Sequence, residues 1–159
     1  MSLRESQVVG LSHAGIQVAE IDRSIAFYER LGLRLAARRR NGRPYIQRLV
    51  GHPGVELEIA IMAIPGSESV LEILEYHAVP RTPIDPATAN PGTGHVCLLV
   101  EDLDGLHPQL EAEGVEFVSE PVTPDVGPNA GGRVVYLKDP DGIRVELLQT
   151  TRTMTGASR

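Results

Sequence analysis

The sequence predicts an α+β fold made of two tandem βαβββ modules, each a strand, a helix and three further strands. Two observations carry this reading. The stretch Gly10-Leu-Ser-His13-Ala-Gly-Ile-Gln-Val18 is answered, without a gap, by Gly92-Thr-Gly-His95-Val-Cys-Leu-Leu-Val100. In one register Gly10, His13, Val18, Asp22, Glu29 and Gly32 fall on Gly92, His95, Val100, Asp104, Glu111 and Gly114. Later in each copy an aliphatic strand pattern holds a single glutamate, Leu71-Glu72-Ile-Leu and Val145-Glu146-Leu-Leu. The first module therefore covers residues 8–77, and a separate Pro- and Gly-rich stretch, 78–93, connects it to the second. The second covers 94–150, and 151–159 reads as a flexible tail.

Each element has a local reason. Val8 to Val18 reads as the first strand, with Ala14, Ile16 and Val18 on one face and His13, Gly15 and Gln17 on the other. Asp22 is the expected N-cap of a helix with an Ile25, Tyr28, Leu31 stripe, closed by Gly32. Leu33 to Arg40 should be a second strand, Asn41-Gly42 a turn, and Tyr45 to Val50 a continuation of strand. Val55 to Ala63 and Val70 to Tyr76 complete the first module. The second repeats the order, with strands at Gly94–Val100, near Val115–Ser119, at Val134–Leu137 and at Ile143–Gln149. Its helix is expected to begin near Gly105 or later, because a proline such as Pro108 is tolerated only in a first turn. Asp139-Pro-Asp-Gly142 is a hairpin turn explained by turn chemistry.

Composition bounds the function. At 159 residues the chain is long enough to bury a core, and no apolar run reaches the ~20 residues that span a bilayer. A net charge of −6 disfavours nucleic acid, which needs a concentrated basic face. The cluster Arg38-Arg39-Arg40 with Arg43 reads as a solvated loop edge, with a grip on an anionic substrate tail as the alternative. One cysteine, Cys97, excludes an internal disulfide. With no apolar leader, a cytoplasmic protein without a membrane partner is expected.

The strand faces converge on one idea. Apolar faces pack under the helices, and His13, Gln17, Glu58, Glu72, Tyr76, His95, Arg144 and Glu146 line a concave cup. Two imidazoles and two carboxylates at repeat-equivalent places suggest a four-ligand site for one divalent ion. Without a cation, the two carboxylates in one cup would repel. Nitrogen and oxygen donors suit Zn, Ni, Co, Mn or Fe(II). The four side chains should converge within a few ångström of one point.

Leu11-Ser-His13, Asp22-Arg-Ser24 with Ala26-Phe-Tyr28, Leu31-Gly32-Leu33, Leu71-Glu72-Ile-Leu, Gly94-His95-Val, Asp139-Pro-Asp-Gly142 and Val145-Glu146-Leu together resemble the vicinal oxygen chelate superfamily. That superfamily includes glyoxalase I, methylmalonyl-CoA epimerase, extradiol dioxygenases and the fosfomycin- and bleomycin-resistance proteins. The resemblance covers Val8 to Gln149 and implies one cupped sheet with metal ligands His13, Glu72, His95 and Glu146. A complete His/Glu/His/Glu set resembles the isomerase-like branch, in which the metal grips adjacent oxygens and a glutamate moves a proton beside a carbonyl. Glu146 is the expected base, with Glu72 as its alternative.

Two other readings stand beside this one: an Fe(II) dioxygenase using His13, His95 and Glu146, and a protein that sequesters a small molecule without turnover. Gln17 and Tyr76 stand where glutathione-dependent glyoxalases carry Arg and Asn, which argues against a glutathione thioester. Glu58 matches an extra glutamate of methylmalonyl-CoA epimerase. The resemblance also implies a homodimer with the metal near the subunit interface.

Overall fold

The computed structural model describes residues 8–87 and 89–151. The first module runs β1 (His13–Gln17), α1 (Ile21–Arg30), β2 (Arg34–Asn41), α2 (Pro44–Val50), β3 (Glu56–Ala63) and β4 (Val70–His77). The second runs β5 (His95–Leu99), α3 (Leu103–Ala112), β6 (Glu116–Phe117), β7 (Arg133–Lys138) and β8 (Arg144–Gln149). They form two four-stranded mixed sheets of identical order, β1-β4-β3-β2 and β5-β8-β7-β6. In each, the first strand lies parallel to the last at one edge and the other pairs are antiparallel. Residues 152–159 of the expected tail lie outside the described residues.

One apolar core is shared by both modules. Ile16, Val18, Ile25, Phe27, Tyr28, Met62, Leu71 and Ile73 of the first pack in one cluster with Leu98, Leu103, Leu110, Val135, Leu137, Val145 and Leu147 of the second. Polar contacts tie the modules further. The turn Asp139–Gly142, which turn chemistry alone accounts for locally, also grips α1. Tyr28 Oη donates to Asp139 Oδ2 at 3.3 Å inside the core. Arg23 pairs with Asp141 at 2.7 Å, and Ala19 N donates to Asp141 Oδ2. Asp139 Oδ1 accepts Asp141 N and Ile143 N at 2.9 and 2.8 Å, so the side chain is bonded on both oxygens. Burial pushes its carboxyl above the ordinary range, and these donors pull it partly back.

Both main helices end as expected. Gly32 (φ 91°) and Gly114 (φ 81°) adopt the left-handed conformation that stops a helix at no side-chain cost. Their starts differ from expectation. The first helix begins at Ile21 with Glu20 at the cap position, and Asp22 lies in its first turn, paired with Arg38. The third begins at Leu103 with Pro108 inside it, because Asp102 caps it by accepting Gly105 N at 3.0 Å. Each helix is also capped from the sheet. Ile21 N donates to Glu75 Oε2 and Leu103 N to Gln149 Oε1, both at 2.8 Å. Glu75 and Gln149 each follow the strand glutamate of their own module by three residues.

Two further expectations are corrected. Residues 44–50 are helix, not strand, with Pro44 in the first turn and Gly51 closing the end. Ile46 is buried on Val55, Leu57 and Ile59, with Val50 packed beside them, so an i, i+4 pair covers the sheet. This changes the faces of β3. Ala60 and Met62, both fully buried, point to the helix side, and Leu57, Ile59 and Ile61 lie under α2. Glu58, in register with Glu75, therefore sits on the helix side and not in the cup. The epimerase-like role expected of it is withdrawn.

Candidate metal centre

The repeat is exact at the level of side-chain pairing. Because β1 and β4 are parallel with Gly15 opposite Glu72, His13 lies two residues along the same face from the partner of that glutamate. In the second module Cys97 is opposite Glu146, and His95 stands in the same relation to it. His13 Nε2 lies 3.6 Å from Glu72 Oε2, and His95 Nε2 lies 3.0 Å from Glu146 Oε2. Both histidines are close to half exposed (46% and 42%), and both glutamates are more covered (19% and 16%). An exposed ring over a sheltered carboxylate leaves the donor atoms open to a ligand from one side.

Those separations suit a shared ion. Donors bound at about 2.0–2.2 Å to one metal stand roughly 3–3.5 Å from each other in tetrahedral or octahedral arrangements. Imidazole with carboxylate is also a donor set that borderline divalent ions accept. The two pairs do not meet within one chain. No three of the four residues bring their ligand atoms within 4.8 Å of one another. Their strands β1 and β5 lie at the edges of separate sheets. Within one chain the four side chains do not converge at one point as expected; the His13–Glu72 and His95–Glu146 pairs stand apart.

The half-sites differ in their surroundings. Beside Glu146, Tyr136 is in register with it and brings its hydroxyl to 3.4 Å from His95 Nε2. The rings of His95 and Tyr136 meet edge to face at 5.2 Å. Cys97 is exposed on the strand, but partial desolvation, then the neighbouring Glu146 carboxylate, pushes its thiol up to about 11, which makes it a poor thiolate ligand. The same causes raise Tyr136. At the corresponding places the first module has Ile61 and Gly15. Tyr136 was not singled out from the sequence; its place ten residues before Glu146, across a hairpin, was the available signal. Gln17 is exposed on β1, and Tyr76 packs beneath α2 with its ring 6.0 Å from His52.

Among the described residues, one other group has suitable donors. His77 Nε2 lies 3.3 Å from Glu58 Oε2 and 3.7 Å from Glu75 Oε1. Arg38 bonds Glu58 at 2.8 Å and holds its carboxyl below the usual range, and Arg81 stands 3.7 Å from Glu75. Two guanidiniums already balance the two carboxylates, and Glu75 also caps α1. The group works as a clasp between α1, the sheet and the connector, where Arg81 also donates to Ala19 O.

Comparison with known proteins agrees with this architecture. Residues 10–147 match the family model of the Glyoxalase/Bleomycin resistance protein/Dioxygenase superfamily. A probable lactoylglutathione lyase from Synechocystis sp. is 30% identical over 144 residues, covering 89% of this chain and 95% of that protein. A 2-epi-5-epi-valiolone epimerase from Actinomyces sp. is 29% identical, over 88% of this chain and 79% of that one. A glyoxalase family protein from Bacillus cereus superposes with a TM-score of 0.77 at 26% identity, covering 94% of this chain and 99% of the other. With the repeated module, its strand order and the matched His and Glu strands, the chain belongs to the glyoxalase/bleomycin resistance protein/dioxygenase superfamily.

Proposed function

We propose that the protein is a divalent-metal-dependent lyase, isomerase or epimerase that transfers a proton next to a carbonyl. Its substrate is a small molecule gripped through two adjacent oxygens. The observation that carries the reading is the pair of repeat-equivalent His/Glu half-sites at ion-compatible distances. Because the shared core and the Tyr28–Asp139 contact hold the modules together, a complete site forms from two copies. The His13–Glu72 pair of one copy then meets the His95–Glu146 pair of the other across the open edges β1 and β5. The homodimer is thus part of the site.

A bound Zn, Ni, Co, Mn or Fe(II) ion would polarise two substrate oxygens as a Lewis acid and acidify the neighbouring C–H bond. The protein's own groups do the rest. His13 and His95 hold position, and Glu146 takes the proton as general base. Glu72, brought to the opposite wall by the second copy, returns it. The Tyr136 hydroxyl, 3.4 Å from His95 Nε2, orients that imidazole. A second carboxylate favours proton transfer over a dioxygenase built on His13, His95 and Glu146. The relatives named as a lyase and an epimerase support the same class. The exposed Gln17 and the covered Tyr76 offer no Arg/Asn grip on a glutathione thioester.

Metal analysis and light scattering test this together. Protein reconstituted with zinc should hold about one ion per chain as a dimer, and His95→Ala should lower occupancy at least about tenfold. Unchanged metal content in the variant, or a metal-loaded monomer at micromolar concentration, would remove the proposal.

A further inference from the structure

The two cup floors are built on one register, so their differences can be read position by position. Two residues from Glu72 on the same face, towards the His13 end, the first module places Val70 opposite Ala63. The same step from Glu146 places Arg144 opposite Lys138. Arg144 is also in register with His95, as Val70 is with His13. The fold therefore does not require a charge at this place, since the other copy of the module fills it with aliphatic side chains.

Arg144 is half-buried and faces the cup, because Val145 and Leu147 on either side of Glu146 enter the core. Its guanidinium makes one hydrogen bond, Nη1 to Gly142 O at 3.2 Å. Among the described residues no carboxylate lies within ion-pairing distance of it. Arg23, Arg38, Arg40, Arg81 and Arg133 each have an acidic partner, and Arg30, Arg34, Arg39, Arg43 and Arg48, which lack one among the described residues, are all exposed, unlike Arg144. The neighbouring Lys138 is taken by Glu116, and Glu146 by His95. A sheltered, planar cation with four unused N–H groups and no counter-ion is matched to a planar anion.

We infer that Arg144 is a carboxylate-recognition residue of the substrate site. Resting on the function proposed above, this names the substrate class: a small acid whose carboxylate lies next to its two metal-directed oxygens. The strand step sets the spacing, since residues 144 and 146 project from β8 about 6.7 Å apart. A compact molecule of a few carbons spans that distance.

The test is a binding titration followed by NMR, with metal-free and zinc-loaded protein. The probes are glycerate, which has a carboxylate beside a vicinal diol, and glycerol, which has the diol alone. Glycerate should bind the wild type at least about tenfold more tightly than Arg144→Gln in both metal states. Glycerol should bind the two alike, and Arg144→Lys should recover part of the loss because it keeps charge without the fork. Circular dichroism checks that the variants are folded. Equal glycerate affinity in wild type and Arg144→Gln, or no glycerate binding at all, would overturn the inference. Loss of zinc binding with a preserved glycerate difference in metal-free protein would instead overturn the metal reading and leave Arg144 as an anion site.

Discussion

Tyr28→Phe isolates the contact that holds the modules in their present relation. Tyr28 is fully buried, and its hydroxyl donates to Asp139 Oδ2, the oxygen not used by the two turn amides. A hydrogen bond to a charged acceptor contributes about 1.5–3 kcal/mol. The 3.3 Å separation is long for O–H···O and argues for the lower part, about 1.5–2 kcal/mol. At this chain length that corresponds to a fall in Tm of about 3–8 °C near neutral pH. The deficit should also depend on pH. Burial raises the Asp139 carboxyl in the folded state, so its proton-linked stabilisation is present below the unfolded value of about 3.9 and lost as pH rises through the folded value. The tyrosine bond is one of the effects pulling that value down, so the phenylalanine variant raises it further. The variant therefore recovers relative to wild type as the solution is acidified through that window. Differential scanning calorimetry from pH 4 to 8 measures both. Equal Tm at pH 7, or a deficit that grows in acid, would refute the role assigned to the contact.

Three further outcomes are expected. Glu146→Gln keeps shape and a potential oxygen ligand but removes most of the basicity, so it should retain zinc and lose at least ~10² in kcat on any substrate found. Turnover near wild type in the metal-loaded variant would transfer the role of base to Glu72. Glu58 is held below its usual range mainly by the Arg38 hydrogen bond, so its stabilisation exists above the unfolded value and is lost as pH falls through the lower folded one. Thermal scans of Glu58→Gln between pH 3 and 6 should thus show a shallower acid-side decline than wild type, and parallel curves would count against the clasp. Glu75→Ala removes the acceptor for Ile21 N, and should lower stability by about 1 kcal/mol in chemical denaturation, with Gln retaining most of it.

Much of the architecture was legible in the chain because repetition is a long-range signal written in local terms. Equal spacing of His13 and His95 and of Gly32 and Gly114, with one glutamate in a later aliphatic strand of each copy, pointed to two like modules. Period-2 alternation then put His and Glu on one face of their strands, as the registers of Gly15 with Glu72 and Cys97 with Glu146 show. Where alternation is ambiguous, only tertiary structure decided. Both faces of β3 are apolar, Leu57, Ile59 and Ile61 against Ala60 and Met62, so sequence alone could not say which meets α1. Residues 45–50 read as strand until their packing on Leu57 and Ile59 made them a helix. The caps that Glu75 gives α1 and that Gln149 adds to the Asp102 cap of α3 come from 54 and 46 residues away, beyond any local motif. How the two His/Glu pairs sit relative to one another depended on how the modules pack. That relation is fixed by a shared core and by Tyr28 reaching Asp139, 111 residues along the chain, contacts that leave no periodic trace in the sequence.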